Sequence, residues 1–113
     1  MSDDGAGAAA SGVLEIARIT VRPGTELEFE SAYRQARPEI LGTLGCRSAR
    51  LTRLIEEPSG FVLLVEWDSL DSHLRNFRES ERFVRWRAAL GPYFVDQPLV
   101  VHGRDVPAES DPA

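Results

Sequence analysis

Trp67 and His73 bracket the stretch EWDSLDSH, residues 66 to 73, and are the side chains whose types and spacing best suit chemistry. An imidazole can be unprotonated near neutral pH yet still bind a proton, which suits it to taking a proton from a phenol or an enol. Burial beside apolar rings would lower its pKa and keep it basic. An indole at the end of a strand can wall a pocket and stack on a flat substrate. An arginine, Arg87 or Arg53, could then stabilise the anion that forms. The same pair also fits a plain core corner where a strand hands over to a helix, and the local sequence leaves both readings open. Tyr33, facing inward on the first helix, could supply a phenolic proton. His102, in VVHGR near the chain end, could enter the same pocket, face a partner or sit at an edge.

Other chemistries are excluded or poorly supported. All thirteen basic residues are arginine, so there is no lysine for a Schiff base or a Walker-type phosphate loop. Cys46 is the single cysteine, which rules out an intrachain disulfide and a cysteine-held metal cluster. His73, His102 and Glu66 could offer three metal ligands, but no spacing demands it, and Glu66 should point away from Trp67. No metal, flavin or nicotinamide is expected. Acids and bases balance between residues 13 and 104, so no basic face invites nucleic acid.

The elements that must position these groups follow from periodicity. VLEIARITV (13–21) reads as a strand ended by Pro23-Gly24. Thr25, with Glu28 three places on, has capping-box spacing, and Phe29, Ala32, Tyr33, Ala36 and Ile40 mark an amphipathic helix to about residue 42. Residues 47–56 and 61–67 form a hairpin across EPSG. Phe61, Leu63, Val65 and Trp67 take one face of its second strand, Val62 and Leu64 the other. A helix starts near Leu70, with Leu70, Leu74 and Phe77 as its buried stripe and His73 at the margin. Ser80 restarts a helical piece with Phe83, Trp86 and Leu90, and PLVVHGR (98–104) is the last strand.

The order β-α-β-β-α-β predicts an α+β, ferredoxin-like domain over 13–104, with helices on one face of a four-stranded antiparallel sheet. Because the other face is apolar too, a symmetric partner should cover it and make a homodimer. Residues 1–12 read as a disordered leader without a secretion signal, and 105–113 as a flexible acidic tail. No run is long enough to span a bilayer, so no membrane partner and a cytoplasmic location are expected.

The strand ending E-W-D, followed by S-L-D-S-H, then NFRESERFVRWRAALGPYF and P-L-V-V-H, resembles the antibiotic biosynthesis monooxygenase family of dimeric α/β barrels. That resemblance implies a small homodimer acting on an aromatic or polyketide-like molecule, phenolic or quinol, with dioxygen as co-substrate and no cofactor. In anthrone-oxidising members, a tryptophan, a polar ring six places later and an arginine on the next helix match Trp67, His73 and Arg87. These three are the implied catalytic residues; Tyr33, Phe61, Leu63, Phe77 and His102, from the faces they take on their own elements, are the expected substrate-binding ones. The strand Phe61–Val65 departs from those members in being wholly apolar. In haem-degrading members a histidine stands nine or ten places after the tryptophan, where this chain has Asn76 or Phe77, and a strand asparagine falls here on Ala17. The family also contains members with no known reaction, so a non-catalytic dimer that binds a small apolar ligand is the rival expectation.

Overall fold

The computed structural model describes residues 12–108. The leader expected over 1–12 lies outside the described residues save Gly12, as does the tail from residue 109. The elements run β1 (Val13–Thr20), α1 (Glu26–Leu41), β2 (Cys46–Arg53), β3 (Gly60–Trp67), a π-helical turn (Ser72–Phe77), α2 (Glu81–Leu90) and β4 (Leu99–Gly103). The strands pair in the order β2-β3-β1-β4, all antiparallel, which is the ferredoxin-like sheet.

Alternation decides which side chains meet. On β1, Val13, Glu15, Ala17 and Ile19 are buried under the helices, and on β3 Phe61, Leu63, Val65 and Trp67 share that face. Antiparallel register fixes the rows: Val65, Glu15 and His102 lie side by side, and Val13 stands opposite Trp67. The two helices supply Phe29, Tyr33, Ala36 and Ile40 from α1 and Trp86 and Leu90 from α2. The opposite face carries Leu14, Ile16, Val62 and Leu64, half-buried, with Leu99 and Val101 exposed.

Three local expectations change. Thr25 does not cap α1 with its side chain; its hydroxyl donates to the Arg22 carbonyl, while Glu26 accepts from the Gly24 amide. β2 stops at Arg53, three residues short of the expected end. The segment after β3 winds as a π-helix, with the Arg78 amide donating to the His73 carbonyl five residues back. That winding replaces the expected stripe: Leu70 is 40% exposed and Leu74 half-buried, whereas Ser72, His73 and Phe77 are buried. His73 therefore moves from the margin to the interior.

The turn is pinned at its start. Ser69 accepts from the Ser72 amide, and the Ser72 hydroxyl donates to Asp68. Gly45 lies against this corner at φ +95°, and a Cβ there would collide with the Ser72 side chain, so both backbone and space require glycine. Ser80, where the sequence restarts a helical piece, caps α2, accepting from the Phe83 amide at 3.3 Å.

Candidate active site

β3 delivers Trp67 at its last residue, and the π-helical turn brings His73 back over it. The two rings lie 5.2 Å apart and 18° from parallel, and Phe77 completes a triangle at 5.9 Å from Trp67 and 6.3 Å from His73. Indole and imidazole are thus in direct contact, instead of facing each other across a space. Trp67 is fully buried behind His73.

The same cluster holds a residue that sequence reasoning missed. Glu15, on β1 and only 5% exposed, accepts a hydrogen bond from the Trp67 indole N–H at 3.0 Å through Oε1. His73 Nε2 approaches the same oxygen at 3.4 Å. From the neighbouring strand, His102 Nε2 meets His73 Nδ1 at 2.8 Å. Four side chains from four elements therefore form one polar chain, running from a buried carboxylate to an exposed imidazole. The signal for Glu15 was its place in the alternation of VLEIARIT, where an acid occupies an inward position.

Glu15 and His73 open onto a cleft of about 910 Å³, within the size range of small-molecule sites. Its walls include Leu63, Phe77, Phe83, Trp86 and Phe94, and Arg78, Arg87 and Asp96 bring charge to it. Of the expected site residues, Leu63, His73, Phe77 and Arg87 share the cleft. Trp67 does not line it but stands behind His73, and His102 reaches the cluster without lining the cleft. Tyr33 and Phe61 lie elsewhere: with Glu30, Arg34, Leu51 and Arg53 they line a separate hollow of about 260 Å³. Phe61 packs on Phe29 at 4.9 Å, and Arg53 donates to the Pro58 carbonyl, which removes it from the cleft as well. The period of a strand assigns a face, whereas distance along the strand assigns the row, and Phe61 is at the far end from Trp67.

Burial sets the electrostatics. It lowers the His73 pKa to about 4, helped by the neighbouring His102 and Arg78, so the ring is neutral at physiological pH. His102 is lowered for the same reason, with Arg78 as the second cause. Burial raises Glu15 above its usual 4.5, with the Trp67 hydrogen bond and Arg78 offsetting part of the rise. Cys46, opposite Trp67 on β2, is pushed up to about 11 chiefly by burial, which makes it a packing residue with an unreactive thiol. Glu15 approaches Nε2 and His102 approaches Nδ1, from opposite sides of the His73 ring. These three groups cannot converge on a single ion, and among the described residues no cluster of three or more metal-ligating side chains occurs. Asn76 is turned away to donate to the Leu44 carbonyl. Among the described residues, no helix is long and apolar enough to cross a membrane.

These shifts give opposite stability slopes. Between pH 6.5 and about 4 the unfolded chain binds a proton at His73 that the folded chain refuses, so His73 makes stability fall as pH drops through that window. Glu15 works the other way, since its raised pKa makes stability fall as pH rises above 4.5. Replacing His73 with phenylalanine, which can keep the ring stack, should therefore flatten the acid limb. Urea midpoints measured from pH 7 to 4 test this, and superimposable profiles for the two proteins would contradict the burial argument.

The fold agrees with the comparisons. The family model for antibiotic biosynthesis monooxygenases matches residues 12–89, and the chain belongs to that family. YczJ of Bacillus subtilis (strain 168), a protein of uncharacterised function, is 39% identical over 94 residues, covering 83% of this chain and 99% of its own length. A crystal structure from Bordetella bronchiseptica, assigned to the same family, superposes with a TM-score of 0.83 at 40% identity, covering 85% of this chain and 98% of that one. SnoaB, a cofactor-independent oxygenase from Streptomyces nogalater, shares the fold at a TM-score of 0.69 and 22% identity, over 92% of this chain and all of its own.

Proposed function

We propose that this protein is a cofactor-independent monooxygenase acting on a small phenolic or quinol molecule of aromatic, polyketide-like character. The observation that carries the reading is a buried acid–base pair, Glu15 and His73, at the inner wall of an apolar cleft in a member of this family. SnoaB supports it as a fold relative that performs oxygenation without a cofactor. Loss of a proton makes a phenol or quinol electron-rich enough to reduce dioxygen directly. One oxygen atom then enters the organic product, and the other leaves as water with two hydrogens from the substrate, so the substrate supplies every electron.

Trp67 and His73 support the carboxylate from behind. Phe77, Leu63 and Trp86 offer flat apolar walls for a ring, and Arg87 and Arg78 supply positive charge for the substrate anion. Oxygen-electrode assays with hydroxylated anthrones and quinols test the reading. Uptake matched by an oxygenated product supports it. A protein that binds these compounds and consumes no dioxygen is the non-catalytic binder instead.

The assembly we propose is a homodimer through the helix-free face, where Leu64, Ile16 and Val101 form one row across three strands. An apolar sheet face of this kind gains by leaving water against its own copy. An Ile16→Glu substitution should shift the protein to a monomer, read by light scattering behind size exclusion. A wild-type protein that already runs as a monomer would refute the assembly.

A further inference from the structure

A base must offer a lone pair to its substrate, and His73 has none to spare. Its Nδ1 meets His102 Nε2 at 2.8 Å, and its Nε2 faces Glu15 Oε1 at 3.4 Å. An ionised carboxylate can only accept, so the arrangement that satisfies all three groups places the His73 proton on Nε2 and has His102 donate to Nδ1. Trp67 adds a second donor on Oε1 at 3.0 Å. The indole N–H of Trp67 and, in this arrangement, the Nε2–H of His73 thus both face one carboxylate oxygen, while the His102 donor is taken up by His73. The other, Oε2, has no hydrogen-bond partner among the described residues, and Glu15 lines the cleft.

We infer that Glu15, through Oε2, is the catalytic base that meets the substrate hydroxyl, and that His73 and His102 are positioning residues holding the carboxylate. This rests on the oxygenase reading above and assigns the proton step within it. The substrate O–H bond breaks, an O–H bond forms on Oε2, and the electron pair stays on the substrate oxygen as phenolate. The carboxyl proton is then available to the oxygen atom that leaves as water.

The surroundings suit a carboxylate to that task. A general base works best with a pKa near the working pH, which an exposed glutamate does not have. Here burial raises it, and His73, held neutral, places no full cation beside it to bring it down again. The charged and titratable neighbours come from each packed element: Cys46 from β2, His73 and Arg78 from and just after the π-helical turn, and His102 from β4. Among these, Arg78 alone is a permanent cation, and its attraction only partly offsets the burial.

A phenolic chromophore reads the contact without requiring turnover. 4-Nitrophenol, bound to the wild-type protein, should ionise against the negative charge of Glu15. Removing that charge by Glu15→Gln should raise the ionisation constant of the bound probe about tenfold or more, seen in its visible phenolate band across pH. His73→Gln keeps an N–H donor near Oε1 and should move the constant less than threefold. Identical titrations for wild type and Glu15→Gln would overturn the assignment, as would a larger shift from His73→Gln than from Glu15→Gln. Should Glu15→Gln not fold, Glu15→Asp withdraws the carboxylate by one methylene and should give a shift in the same direction. A wild-type protein that binds no 4-nitrophenol refutes the phenol-binding cleft itself, and the assignment falls with it.

Discussion

Glutamine at position 15 is expected to lower dioxygen consumption with a phenolic or quinol substrate by about 10²- to 10⁴-fold, the usual range for removing a general base. The substitution is close to isosteric. The amide oxygen can still accept from the Trp67 indole N–H, and the amide nitrogen can turn toward the cleft. Folding should survive, because a neutral amide at a site 5% exposed carries less desolvation cost than a carboxylate. At pH values where Glu15 is ionised, the variant should be at least as stable as the wild type. Initial rates of oxygen uptake beside urea midpoints decide the matter. A rate within threefold of wild type, from a protein that remains folded, would show that the carboxylate takes no part in proton transfer.

Alanine at position 73 is a poorer test of the same idea. His73 is 2% exposed and packed against both Trp67 and Phe77, so truncation leaves a hole and strips partners from Glu15 and His102 together. Lost activity in that variant could come from a loosened core as readily as from lost chemistry. A charge-neutral, shape-conserving change separates the two causes.

What the sequence makes legible here follows the range over which each signal acts. Strand alternation in VLEIARIT and FVLLVEW is local, and it correctly puts Val62 and Leu64 on one face and Phe61, Leu63, Val65 and Trp67 on the other. Trp67 and His73 are close in the chain, so their meeting could be expected from one corner. The Glu15 contacts depend on register between β1, β3 and β4, which periodicity does not specify. His102 lies opposite Glu15 only because β4 pairs with β1 in that register, so its role was open until the strands were aligned. The depth of His73 was obscured for another reason: a 100° step per residue describes an α-helix, whereas this turn is wider, and the π winding carries His73 inward as Leu70 and Leu74 move out. Tyr33 and Phe61 were assigned to the right layer and the wrong hollow, since facing the helices is necessary for joining the cleft but does not say which end of the sheet a residue occupies.

Trp67 is where stability and site geometry are joined, and Trp67→Ala should cost about 3–5 kcal/mol through the cavity alone. The side chain is fully buried, stacked on His73 at 5.2 Å and tilted against Phe77 at 5.9 Å. Truncation also takes the indole N–H from Glu15, leaving a buried acceptor short of a partner for about 1–3 kcal/mol more. Set against about 5–15 kcal/mol for a typical domain, that loss brings the protein close to unfolding. Trp67→Phe separates the two contributions, because phenylalanine keeps most of the apolar contact and cannot donate. Its cost should shrink when Glu15 is already glutamine, since a neutral amide left without the indole is less costly than a carboxylate. A double-mutant cycle on urea midpoints measures that difference. Coupling of about 1 kcal/mol or more would confirm that the indole holds the carboxylate in place. Strict additivity would mean that Trp67 serves only to fill space, and that Glu15 is oriented by His73 alone.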